Sequence, residues 1–358
     1  MDISILVSEF AESDIKLITD RQHYNHEVII MKILVVGCGS IGQRHIRNLK
    51  KISNVEVVAC RMKGEIKEIE EKFDVKTVCG LDNGLDQKPD AILITTPTST
   101  HIPVALKAAE KGCHLFIEKP ISHNLDGVDK FIKIINKNKL ICMIGYNLRF
   151  HPGLRLIKEY LEKNTIGDIV SARVQAGQYL PDWHPTEDYR TSYSAKKSLG
   201  GGVILDLSHE IDYIRWFLGE VKEVFSFTSK LSHLKIETED VAEILLRFKG
   251  GVIGEVHLDY VQRFPSRSCQ IIGDEGTILW DFNENKVRLF SAKDKKWQIF
   301  LENEKYDNNQ TYIDEIKHFI NCINRKKKPV VNEIDGKRVL EIVMGVKESS
   351  KAKRIIFL

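Results

Sequence analysis

Short apolar runs alternate with amphipathic stretches through the first half of the chain. Runs at 32–36, 55–59, 75–78, 90–95, 113–117 and 140–145 have the length of buried strands. Between them, Ile41, His45 and Leu49 recur at helical spacing, as do Ile66, Ile69 and Phe73, and then Leu125, Val128, Ile132 and Ile135. Such alternation predicts an α/β domain with a parallel, doubly wound sheet over 31–147. From 148 the pattern changes. An amphipathic helix around Leu154, Ile157 and Leu161 precedes a strand at 168–179, and a further helix is expected over 205–218. Strands then cluster at 221–230, 240–248, 251–261, 267–273, 276–281, 286–291 and 297–301. Val252, Gly254, Val256, Leu258 and Tyr260 alternate with more polar neighbours, as in an antiparallel strand buried on one face. Clustered strands with few helices predict a second, α+β domain over 148–330. Helices at 313–323 and 336–349 close the chain, the second capped by Asp335. Residues 331–358 are expected to pack back on the first domain.

Chemistry enters at the carboxyl ends of the first set of strands, where open α/β sheets bind ligands. After the first strand comes Gly37-Cys38-Gly39-Ser40-Ile41-Gly42, a G-x-G-x-x-G that opens a helix. In that context the three glycines permit, in turn, a tight turn, close approach of a pyrophosphate, and close helix–strand packing. The alternative is a tight turn without a ligand. At the end of the second strand, where an acidic residue would hold the ribose of NAD, stands Arg61. A guanidinium suits a 2′-phosphate, so the reading leans to NADP over NAD; a solvated arginine is the competing reading. Thr96-Pro97-Thr98-Ser99-Thr100-His101 follows the fourth strand and can face the cofactor, although the same residues suit turns and caps. Glu118-Lys119-Pro120 follows the fifth, and places an ammonium at the sheet edge.

Composition narrows the class. The 358 residues are 42% hydrophobic and 29% charged, with a net charge of +3, which argues against nucleic acid as the main partner. Seven cysteines are scattered without a CxxC pair, as expected of reduced thiols in a cytoplasmic protein with no zinc site. No apolar run reaches membrane-spanning length. Residues 1–30 lack the basic and apolar regions of a signal peptide. Met31 opens directly onto a strand and the glycine motif, so the first thirty residues read as an extension from a start assigned too far upstream.

Taken together, Gly37-x-Gly39-x-x-Gly42-x-x-His45, Thr96-Pro97-x-x-x-His101, Gly112-x-His114-x-x-x-Glu118-Lys119-Pro120, Gly200-Gly201-Gly202 and His209-Glu210-Ile211-Asp212 resemble the Gfo/Idh/MocA family. The resemblance runs from about residue 31 to the C-terminus. It implies a Rossmann domain, an α+β domain with a large open, mostly antiparallel sheet, a nicotinamide cofactor, and a sugar, cyclitol or sugar-nucleotide substrate. It also implies that Lys119 lies beside the nicotinamide and the reacting hydroxyl, and that His209 is the acid/base. The family commonly has an aspartate four residues before that histidine. Here Leu205 occupies that position and Asp206 lies three before, which leaves its role open.

Alcohol oxidation needs a base for the hydroxyl proton and a charge to stabilise the oxygen, which a histidine and a lysine can supply without a metal. Asp206, His209 and Asp212 fall at i, i+3, i+6, near one face of the expected helix, so a structural network would look similar. Arg149, Tyr179, Trp183, His184 and Tyr189 are candidates to line a polyol pocket, with Asp212 a substrate contact or a structural group. Glu118 either orients the lysine or faces its own backbone. Two other functions stay open: a glycosidase of the same fold using transient redox, and a non-catalytic dinucleotide sensor. An open sheet with a bare apolar face would associate, which predicts a homodimer or homotetramer.

Overall fold

The computed structural model describes residues 30–358 apart from positions 184, 186 and 302–305. The extension up to residue 29 and His184 therefore lie outside the described residues. The first half runs β1 (Met31–Val36), α1 (Ser40–Leu49), β2 (Val55–Arg61), α2 (Lys67–Phe73), β3 (Lys76–Cys79), α3 (Leu81–Leu85), β4 (Ala91–Ile94), α4 (His101–Glu110), β5 (His114–Glu118), α5 (Val128–Asn138) and β6 (Cys142–Gly145). Its strands form one six-stranded sheet in the order β3-β2-β1-β4-β5-β6, parallel throughout. Successive residues of a strand point to opposite faces, and both faces are covered. Leu34, Val36, Ile92, Ile94, Leu115 and Ile117 enter one apolar cluster, and Ile33, Val35, Leu93, Phe116 and Met143 enter another. That two-sided burial is why these strands read as continuous apolar runs. The strand order reverses between β1 and β4, and a ligand crevice opens at such a switch point.

The second half contributes α6 (Pro152–Glu162), β7 (Ile169–Gly177), α7 (Val203–Asp206), α8 (His209–Leu218), β8 (Val221–Ser229), β9 (Val241–Phe248), β10 (Ile253–Asp259), β11 (Ser266–Gly273), β12 (Gly276–Asp281), β13 (Lys286–Ser291), β14 (Lys296–Leu301), α9 (Asn309–Arg325), α10 (Glu333–Ala352) and β15 (Ile356–Phe357). A nine-stranded sheet has the order β14-β13-β12-β11-β7-β10-β9-β8-β15. Only the β7–β10 pair in it is parallel, so the sheet is mixed but mostly antiparallel. Ile316 and Phe319 of α9, a helix expected in the second domain, join the cluster on one face of the first sheet, whereas β15 at the chain's end pairs with β8 of the second sheet.

The sequence pattern predicts neither α3 nor β15, and two expected helices differ in detail. The single helix over 205–218 is two helices, α7 and α8, separated at Leu207 and Ser208; Leu207 has φ −98° and ψ 32°, outside the helical range. Asp206 and His209 therefore do not share a continuous helix face. The cap of α10 is Asn332 rather than Asp335. The Asn332 side chain accepts from the Ile334 and Asp335 backbone N–H groups, and Asp335 reaches back to the Asn332 N–H, a reciprocal capping box that starts the helix three residues earlier.

Candidate active site

The turn between β1 and α1 forms one wall of a cleft of about 650 Å³. Gly37 has φ +99°, and a Cβ there would lie 2.7 Å from the Thr95 carbonyl oxygen. A Cβ on Gly42 would overlap the Gly37 carbonyl oxygen. The turn is thus closed as tightly as backbone allows, and α1 begins at the cleft with a glycine N-cap that offers no side chain to its first N–H groups. Those free donors and the positive end of the helix form a cradle for a pyrophosphate. Gly37, Gly39, Ser40 and Ile41 line this wall, and Arg61, Met62 and Lys63 line the cleft beyond the end of β2. The Arg61 guanidinium donates to the Glu65 carbonyl at 2.8 Å and lies 3.4 Å from the Glu68 carboxylate.

Thr96, Pro97, Thr98 and His101 form a second wall. The buried His101 ring spans two carbonyls, Nδ1 at 2.8 Å from Pro120 and Nε2 at 2.8 Å from Thr96. It ties the loop after β4 to the one after β5. Burial pushes its pKa down, against the pull of those carbonyls and of Glu118. The Lys119–Pro120 peptide is cis. Glu118 turns inward to His45, with Oε1 2.6 Å from Nε2, while its other oxygen accepts from the Lys119 N–H at 3.3 Å.

Lys119 reaches across to the second half of the chain, where its Nζ donates to the backbone carbonyl of Asp206. The Asp206 carboxylate accepts from the Tyr260 hydroxyl at 2.5 Å. Burial raises the Asp206 pKa and lowers that of Lys119, and each partly offsets the other; Ser194, Tyr260 and Tyr193 also favour the Asp206 carboxylate. Asp206 is the last residue of α7 and His209 the first of α8, which places the two on either side of the helix break. His209 is buried edge-on to Tyr146, with ring centroids 5.5 Å apart. Burial first, then Lys119 and Arg267, hold its pKa well below the ordinary imidazole value. Arg267 comes from β11 and pairs with the buried Glu210 carboxylate at 2.8 Å. Asp206 and His209 are not among the residues lining the cleft, which ends on Lys119, Tyr193 and Ser194 in front of them.

Of the aromatic candidates, Trp183 and Tyr189 line the cleft. Tyr179 does not, and its ring instead lies under the Arg263 guanidinium at 3.6 Å. Arg149 and Asp212 face each other, buried, through two bonds of 2.8 and 2.7 Å, away from the cleft lining. Burial raises the Asp212 pKa, and Arg149 pulls it back. Sequence reasoning missed Tyr193, Ser194, Tyr260, Arg267 and Tyr312. The first two fall in an irregular stretch, and the others reach the site from distant strands and α9, so spacing gave no signal.

Residues 31–146 match an oxidoreductase family described as having an NAD-binding Rossmann fold, and residues 154–279 match the GFO/IDH/MocA C-terminal domain. The chain belongs to the GFO/IDH/MocA family. It is an oxidoreductase of the class whose first half has an NAD-binding Rossmann fold. Among its GFO/IDH/MocA relatives, the myo-inositol 2-dehydrogenase of Thermotoga maritima is 31% identical over 346 residues, 92% of this chain and 98% of that protein. The scyllo-inositol 2-dehydrogenase (NAD(+)) of Bacillus subtilis is 26% identical, over 89% of this chain and 94% of that protein. A levoglucosan dehydrogenase solved with NADH superposes with a TM-score of 0.84 at 20% identity, covering 91% of this chain and 98% of the other, which shows the shared fold. No helix among the described residues is long and apolar enough to cross a membrane.

Proposed function

We propose that the protein oxidises a secondary alcohol of a cyclitol or sugar, with Lys119 and His209 at the reacting oxygen. The observation that carries this reading is the Lys119 side chain, which bridges from the dinucleotide-binding half to the Asp206 carbonyl beside the cleft. When bound, the nicotinamide supplies the hydride acceptor. The cradle at Gly37, Gly39 and Ser40 would hold its pyrophosphate, and a Cβ at Gly37 or Gly42 would distort the turn that shapes it by meeting the Thr95 backbone or the Gly37 carbonyl. Thr96, Pro97, Thr98 and His101, with Glu118, line the cleft and would hold the nicotinamide end when the cofactor is bound.

The Lys119 ammonium donates to the substrate oxygen and stabilises the charge that develops there. The depressed pKa of His209 leaves a neutral imidazole that can accept the hydroxyl proton. Asp206, held by Tyr260, fixes the end of α7 and so sets where Lys119 points. Trp183 and Tyr189 offer aromatic faces for the C–H faces of a polyol. Arg149 and Asp212 act as a structural pair behind this constellation. At the ribose end, Arg61 and Lys63 border the cleft, and their positive charge supports NADP over NAD, with the Glu68 carboxylate 3.4 Å from Arg61 the opposing group.

The test is formation of reduced nicotinamide from NAD⁺ or NADP⁺ with a panel of inositols and sugars. Lys119→Ala and His209→Ala should each lower kcat/KM by roughly 10²–10⁴. Normal turnover by both variants would remove the site assignment. A lower KM for NAD⁺ than for NADP⁺, unaffected by Arg61→Ala, would reverse the cofactor reading.

A further inference from the structure

Three elements meet beneath the cofactor cleft, each bringing one buried group. α1 contributes His45, the end of β5 contributes Glu118, and α9 contributes Glu315, at 0%, 8% and 0% exposure. One donor atom from each lies within 4.8 Å of the other two. Neither Glu315 oxygen has a hydrogen-bond partner among the described residues, and His45 Nδ1 has none either. Among the described residues, no lysine or arginine is ion-paired with Glu118 or Glu315; the sole partner of this kind is His45 on Glu118, at 2.6 Å. Two carboxylates this close and this buried are neutralised either by a retained proton or by a cation, because an unpaired buried charge is costly.

We propose that His45, Glu118 and Glu315 bind one divalent transition-metal cation. Two carboxylates and a neutral imidazole carry a charge of −2, which such an ion balances. One nitrogen and two oxygens suit Zn²⁺, Mn²⁺ or Fe²⁺ better than Mg²⁺, which prefers oxygen and water. Ligand bonds of about 2.1 Å place donor atoms within about 4.2 Å of one another, so binding would draw the 4.8 Å spread in slightly and replace the 2.6 Å His45–Glu118 hydrogen bond with bonds to the ion. Glu118 also lines the cleft, which gives the ion a way in. The ion would tie the C-terminal α9 to the first sheet, one residue from Lys119, and its role is structural rather than redox.

The experiment takes the full chain, strips it with a chelator, and adds Zn²⁺ or Mn²⁺ alone. Metal retained after gel filtration is counted by elemental mass spectrometry, and the thermal midpoint is recorded with and without metal. The wild type should retain one equivalent more than Glu315→Gln and show a higher midpoint with metal, a shift that the variant loses. His45→Asn should lose the same equivalent, which guards against poor folding of the first variant. Retention of no metal by the wild type overturns the proposal. So does equal retention by both variants and the wild type, because surface histidines would then account for the binding. A metal-free Glu315→Gln as stable as the wild type, together with no uptake by either, identifies the carboxylates as sharing a proton instead.

Discussion

His209 is buried, with the Lys119 and Arg267 side chains close enough to oppose its protonation. Its pKa therefore lies well below 6.5, and a base in alcohol oxidation must be unprotonated. The acid limb of kcat/KM is accordingly expected below about pH 6.5, in a profile measured from about pH 5 to 9. Arg267→Met removes one cation and leaves the buried Glu210 carboxylate uncompensated. Loss of that cation favours the imidazolium, so the acid limb should move upward. A purely structural Arg267 would lower kcat and leave the limb in place. Tyr260→Phe tests the second shared group. The lost hydroxyl donates to a buried carboxylate, a bond worth roughly 1.5–3 kcal/mol. If that bond positions Lys119 through Asp206, kcat should fall about 10- to 100-fold with little change in KM, as steady-state kinetics would show.

At the scale of elements, the break between α7 and α8 decides what the residues can do. It separates Asp206, which faces Tyr260 and Lys119, from Asp212, which faces Arg149. The apolar positions Val203, Leu205, Ile211 and Ile214 are all buried, so the pattern runs through the break and hides it. The β1–α1 turn was legible because its demands are local: a positive φ at Gly37 and no room for a Cβ at Gly42. The parallel sheet was legible because two-sided burial makes its strands apolar throughout. Tyr260, Arg267 and Glu315 were not, because each meets its partners only through tertiary packing. Asp212→Ala would leave Arg149 buried without its partner, at a cost of about 3–5 kcal/mol. Urea unfolding should show that loss, with KM unchanged. A raised KM at unaltered stability would instead make the pair a substrate contact.

At the scale of the molecule, the exposed face of the second sheet differs from the bare apolar surface expected of it. One row across the strands reads Phe225, Leu245, Glu255, Arg173, Gln270, Leu279, Arg288 and Ile299. Apolar residues sit towards its ends, and Glu255 and Arg173 pair at 3.0 Å in its middle. The adjacent row carries Phe227, Glu243, His257 and Gln175, with Phe227 65% exposed. Apolar flanks around a charged centre suit a second copy of the chain, and a homodimer in sedimentation at micromolar concentration is the expected result. His257 makes this face pH-dependent. Its ring nitrogens lie 2.7 Å from Glu243 and 3.1 Å from Asp259, and these bonds, with Asp259 the stronger, raise its pKa from 6.5 to about 9. A raised folded-state pKa means that the stabilisation is complete below the unfolded value near 6.5 and is lost as pH rises through about 9. Above that pH the two carboxylates face each other across a neutral ring. The thermal midpoint should therefore fall between about pH 7 and 9.5, and His257→Gln should flatten that part of the curve. An equal fall in the variant would assign the alkaline loss to other groups. If the sheet face is the dimer contact, association should weaken over the same window, because the unneutralised carboxylates would then lie at the interface.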